Sequence, residues 1–171
     1  MNPHRRLLTA ALALAAVLAP AFRVTAQGPG AAGNNPDLVE ARKYTLTMDK
    51  IQKLADTATA VNKLLASDSA LKAKVDAGSS NNLPMDQQAK FMDATFPQIA
   101  AVIHAHGFTT REYILASIAF INDVTFVGMK KQGMIRDYPP NSITPENATF
   151  VEANFDKLQQ IGQALAPPQQ R

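Results

Sequence analysis

The chain is 171 residues long, with 46% hydrophobic and 18% charged residues and neither cysteine nor tryptophan. That length sets one domain with tails, able to bury about two thirds of its unfolded surface without a metal or disulfide staple. The lack of cysteine removes disulfides, thiol nucleophiles, thiolate zinc sites and covalent haem attachment, and 6% aromatic residues leave no stacking platform for sugars or single-stranded nucleic acid.

The net charge of +3 has an address. Arg5, Arg6 and Arg23 carry all of it, and residues 27–171 are balanced at 14 basic to 14 acidic side chains. That part therefore has no basic footprint for nucleic acid. The first 26 residues read as a secretory signal peptide: a basic Met1–Arg6, an apolar run from Leu7 to Phe22, then Val24-Thr25-Ala26 with small residues where a signal peptidase cuts. The run is shorter than the ~20 residues a spanning helix needs. The expectation is an exported protein, periplasmic or secreted, cleaved after about Ala26, with no transmembrane segment in the mature chain. Residues 27–36, QGPGAAGNNP, read as a flexible tether. A single helical domain then spans 37–166, and Pro167-Pro168 opens a tail of residues 167–171.

Asp37 to Lys43 predicts a short helix and Tyr44-Thr45-Leu46 an extended entry. The Thr47 hydroxyl can cap the next helix, 48–66, in which Ile51, Leu54, Ala58, Val61 and Leu65 form one apolar stripe. Ser67-Asp68 restarts a shorter helix that Gly78 ends, and residues 79–84 form a loop. Asp49–Lys53, Asp68–Lys72 and Asp86–Lys90 read as solvated i,i+4 pairs. A helix follows over Met85–Thr95, and Pro97 suits the first turn of another, with Ile99, Val102, Ile103 and His106 on one face.

The sequence is most explicit at residues 107–113. Gly107 can adopt the left-handed conformation that ends a helix and folds Phe108 back on Ile103. Thr109-Thr110-Arg111-Glu112 then matches a capping box, with Phe108 and Tyr113 as a hydrophobic staple. The helix it starts, about Thr110 to Lys131, is apolar nearly all round, and Asn122 and Asp123 near its middle argue against a membrane position. It reads as the central helix of an all-α bundle of about five helices. Residues 132–143 form a loop, and Thr144-Pro145-Glu146 opens the last helix, with Val151, Phe155, Leu158 and Leu165 as its stripe.

Chemical constellations are sparse. His104 and His106 are two residues apart, about 200° around a helix, where two ligands for one metal need a spacing of three or four. They read as capping and core residues. Ser69-Ala70-Leu71-Lys72 has the S-x-x-K spacing of penicillin-recognising enzymes, but no K-T-G follows. Asn147-Ala148-Thr149 fits the glycosylation triplet. No metal, cofactor or catalytic set is implied. On a helical wheel Asn122 falls between Leu115, Phe126 and Met129, which predicts a buried amide fixing helix register. Asp123 lies on a narrow polar-or-small stripe with Glu112, Ala116 and Ala119 and reads as exposed.

The stretch HGFTTREYILASIAFINDV, with YTLTMDKIQKL upstream, resembles an uncharacterised family of small exported, Ala-rich helical bacterial proteins. The resemblance covers most of residues 40–165 and implies export and a helical fold; it transfers no functional residue. The functional expectation is a non-catalytic exported helical binding or envelope protein with a protein partner. The alternative is a binder of a small apolar ligand, held beside the central helix by Asn122, Phe120, Phe126 and Met129.

Overall fold

The computed structural model describes residues 35–78 and 83–165, which form seven helices and no strand. They are α1 (Pro36–Lys43), α2 (Met48–Ser67), α3 (Ser69–Ala77), α4 (Met85–Thr95), α5 (Pro97–Ala105), α6 (Thr110–Lys131) and α7 (Pro145–Leu165). The predicted leader (1–26), most of the tether and the tail lie outside the described residues. The described residues form the all-α bundle around a central apolar helix that the sequence predicts, and the two short segments predicted before Tyr44 and after Asp68 are helices in it, which brings their number to seven. Asn35 and Pro36, read from the sequence as the end of a tether, belong to the start of α1. Asn35 Oδ1 accepts from Asp37 N at 3.0 Å, and Pro36 takes the first helical position, where its missing N–H costs nothing.

The caps explain most boundaries. Thr47 Oγ1 accepts from Lys50 N (3.3 Å), Asp68 Oδ1 from Leu71 N (2.8 Å), and Thr144 Oγ1 from Asn147 N (3.2 Å). Helix α5 ends in a Schellman motif: Gly107 (φ 75°) donates to His104 O at 2.8 Å and Phe108 N to Ile103 O at 3.3 Å. Helix α6 ends the same way at Gly133 (φ 71°), with Met134 N donating to Met129 O at 2.9 Å. Helix α4 has no cap of its own. Its Met85 N donates to Asp37 Oδ2 of α1 at 2.8 Å, so a neighbouring helix caps it.

Only half of the predicted capping box forms. Thr109 Oγ1 accepts from Glu112 N at 3.0 Å, but the Glu112 carboxylate accepts from Tyr44 Oη at 3.3 Å instead of returning to the cap. The staple holds: the Phe108 and Tyr113 rings meet edge to face, 6.1 Å between centroids. The three predicted i,i+4 pairs give way to other partners. Asp68 caps α3, Lys72 pairs with Asp76 at 2.5 Å, Lys53 donates to Gly107 O at 2.6 Å, and Asp86 receives Arg111.

Helix α6 is central: α1, α2, α4, α5 and α7 all pack on it. It is long and apolar enough by composition to cross a membrane, and 56% of its most apolar window is buried inside the bundle. The main core gathers Ile51, Leu54, Phe96, Ile103, Phe120, Val127, Val151 and Leu158, while Ala41, Met85, Ala89, Ile114 and Leu115 form a smaller core between α1, α4 and α6.

Candidate functional site

Three polar joints fasten helices around α6. The first links α1, α4 and α6. Arg111 donates to both Glu40 oxygens, at 2.7 and 2.6 Å, and its Nε donates to Asp86. The Arg111 hydrogen bond lowers the Glu40 pKa, and hydrogen bonds to Glu40 and Asp86 raise that of Arg111. All three side chains are a third or more exposed, so the joint positions helices and contributes little net stability.

The second joint links α4, α5 and α6 through a hydroxyl, an imidazole and a carboxylate. The buried Thr110 Oγ1 donates to Asp93 Oδ1 and lies 3.2 Å from His104 Nε2. A hydroxyl has one hydrogen. Because it is spent on Asp93, His104 Nε2 must carry its own hydrogen and donate to Thr110. This order differs from that of a hydrolytic triad, in which the imidazole stands in the middle and takes the hydroxyl proton. Here the hydroxyl stands in the middle, is 2% exposed, and faces an imidazole nitrogen that is a donor. His106 turns elsewhere, with Nδ1 2.9 Å from Val102 O, a helix-end carbonyl. No group of three His, Cys, Asp or Glu able to hold a metal occurs among the described residues.

The third joint reverses the sequence reading of the central pair. Asp123, read as exposed, is 0% exposed; Asn122, read as buried, is half-buried and bonds no described side chain. The stripe Ala116–Ala119–Asp123 is small because a neighbour packs close to it, not because it faces water: Ala116 and Ala119 are themselves 2% and 1% exposed. Asp123 Oδ2 accepts from Asn147 Nδ2 at 2.8 Å. Asn147, 1% exposed, also donates from Nδ2 to Tyr44 O (2.9 Å) and accepts from Leu46 N at Oδ1 (3.0 Å). One amide thus ties the first turn of α7 to the middle of α6 and to the α1–α2 linker. Burial pushes the Asp123 carboxyl up to about 7, opposed by the Asn147 hydrogen bond. Tyr44, half-buried and bonded to Glu112, is pushed up to about 12, chiefly by burial.

The four residues proposed to contact a ligand do not converge. Phe120 is 2% exposed in the main core, whereas Asn122 lies about 200° away on the helix, on the side of Phe126 and Met129. Ile118, Ile121, Asn122, Thr125, Phe126 and Met129 are all half-buried, and Met134 at the end of α6 is 49% exposed. This face of the C-terminal half of α6 carries no charge. In the S-x-x-K segment Ser69 is exposed and Lys72 is paired with Asp76. In the glycosylation triplet the Asn147 amide is spent on three internal bonds, so it cannot accept a glycan.

Sequence reasoning missed Asn147, Asp93 and Thr110. The signal for Asn147 was present: positions 147, 151, 155 and 158 continue one stripe, so Asn147 extends the buried face of α7 by a turn. Asp93 and Thr110 are 17 residues apart on different helices, and no local pattern joins them. No family model matches the chain, and no curated protein or solved structure matches it either.

Proposed function

We propose that the chain acts as a non-catalytic exported helical protein of the cell envelope that binds an apolar segment of a partner protein along the C-terminal half of α6. What carries the reading is the uncharged, half-buried face Ile118–Asn122–Phe126–Met129 on the central helix, against which five other helices pack. Partly exposed apolar side chains on one helix face are the kind of surface that an apolar segment of a partner can cover. The non-catalytic part is supported by the second joint, where the hydroxyl is enclosed and the imidazole donates. The export part rests on the leader-like first 26 residues. The alternative, a small apolar ligand held by all four candidates, is not retained, because Phe120 faces away from Asn122, Phe126 and Met129.

A photo-crosslinking residue placed at Asn122 or Met129 in cells should give adducts with one protein of the envelope fraction. The same residue at Lys63 or Lys74, exposed on α2 and α3, should not. Equal adducts from all four positions, or none from Asn122 and Met129, would sink the reading.

A further inference from the structure

The third joint has an unbalanced hydrogen-bond inventory. Asp123 Oδ1 has no partner among the described residues, and Oδ2 has one, Asn147 Nδ2. An ionised carboxylate inside a protein calls for several donors or a cation. Neither is to hand. Both Nδ2 hydrogens of Asn147 are placed, one on Asp123 and the other on Tyr44 O. The first-turn amides of α7 are also committed: Asn147 N donates to Thr144 Oγ1 and Ala148 N to Thr144 O at 2.8 Å.

No charged side chain among the described residues bonds the carboxylate. On the linker side Lys50 donates to Thr45 O at 2.9 Å and sits over the Tyr44 ring at 4.3 Å. On α6 itself Glu112 holds Tyr44 Oη, and Lys130 pairs with Glu152 of α7 at 2.9 Å. Glu146, the acid nearest the start of α7, is exposed. None of these is among the causes that shift Asp123, which are burial and the Asn147 bond alone.

We propose that the Asp123–Asn147 joint is an acid-closed latch: with the carboxyl protonated, the Tyr44–Leu46 linker is fastened to α6 and α7, and ionisation of that carboxyl releases the linker. The mechanism lies in the competition for one amide. A carboxylate draws on both Nδ2 hydrogens of Asn147, including the one that holds Tyr44 O. The linker is the one of the three parts that is not helical: four extended residues, 44–47, separate α1 from α2, with Thr45 exposed, Tyr44 half-buried and Leu46 buried in the main core. Lifting it withdraws Leu46 from the edge of the main core and admits water to the carboxylate. The direction follows from linkage. The closed-state carboxyl titrates near 7, above its ordinary 3.8. The closed state is therefore fully favoured below about pH 4, loses ground as pH rises toward 7, and loses no more above that.

The Leu46 amide, which donates to Asn147 Oδ1, reports on the latch. Hydrogen exchange at Leu46 in the whole protein, with intrinsic base catalysis divided out, should show an opening constant rising by up to about tenfold per pH unit between pH 5 and 7 and levelling above. The Asp123 carboxyl carbon, followed by NMR, should titrate with a midpoint near 7. In Asp123→Asn, which cannot ionise, the Leu46 opening constant should be flat across the same range. A carboxyl midpoint below 5, a Leu46 opening constant indifferent to pH in the wild type, or a slope that persists in Asp123→Asn would overturn the proposal. If Asp123→Asn does not fold, the two wild-type measurements decide alone.

Discussion

Gly107 and Gly133 offer a matched pair in which backbone strain can be separated from side-chain contact. Both sit in the left-handed region, at φ 75° and 71°, and both close Schellman motifs. An alanine at either position should cost about 1–2 kcal/mol, because Cβ crowds the following carbonyl oxygen there. Their surroundings differ. A Cβ at Gly133 meets nothing within 4 Å, whereas one at Gly107 would lie 3.2 Å from Lys53 Nζ and 3.3 Å from its Cε. The end of a lysine can move aside, so the clash itself is minor. Moving it surrenders the 2.6 Å bond to Gly107 O and the seat over the Phe108 ring at 4.2 Å, about 0.5–1 kcal/mol further. Urea unfolding should therefore rank Gly107→Ala below Gly133→Ala by that increment, and the gap should close when both are made in a Lys53→Met background. Gly107→Val should be worse than either, and worse than Thr109→Ala, which loses a cap bond costing about 0.5–2 kcal/mol. Gly107→Ala as stable as wild type would refute the left-handed assignment. A gap that survives Lys53→Met would refute the role given to the lysine.

Three other substitutions test the packing and the joints. Gly128, inside α6, has room for a Cβ at an ordinary 3.4 Å from Phe155 Cζ, so Gly128→Ala should stabilise by about 0.5–1 kcal/mol in a thermal or urea melt; a loss would mean that α6 and α7 pack closer than described. Asn147→Ala strips partners from Leu46 N, Tyr44 O and Asp123 Oδ2 in a buried site and should cost about 2–6 kcal/mol in chemical denaturation, well above an average surface change. Arg111→Met should cost under about 1 kcal/mol, and the difference from wild type should shrink further in high salt, since its partners are exposed; a large, salt-independent loss would contradict this.

The helices and their ends were legible because local chemistry sets them. Thr47, Asp68, Pro97, Gly107, Thr109 and Thr144 each act within four residues of themselves, and the structure places an element boundary at every one. What the sequence hid lies between distant residues. The Glu112 side chain was assigned to its own helix start and serves Tyr44, 68 residues away. The Asn122–Asp123 assignment failed for a physical reason. On an almost wholly apolar helix the wheel does not say which side has a neighbour, and alanines at 116 and 119 mark a close approach as readily as a surface. The partner that settles the matter, Asn147, is 24 residues on, at the start of another helix.

The cap that α1 supplies to α4 bears on the order in which the chain can assemble. Eight residues are too few to hold a helix alone in water. The contacts that hold α1 come late: Asp37 meets Met85 across 48 positions and Glu40 meets Arg111 across 71. During synthesis α1 therefore leaves the ribosome first among the described helices, yet waits for α4 and the start of α6 before its shape is fixed. Helix α4, in turn, starts cleanly only when α1 returns. The two segments ripen together, and a chain stalled before residue 111 would carry both as unfinished ends, open to proteases that the completed bundle resists.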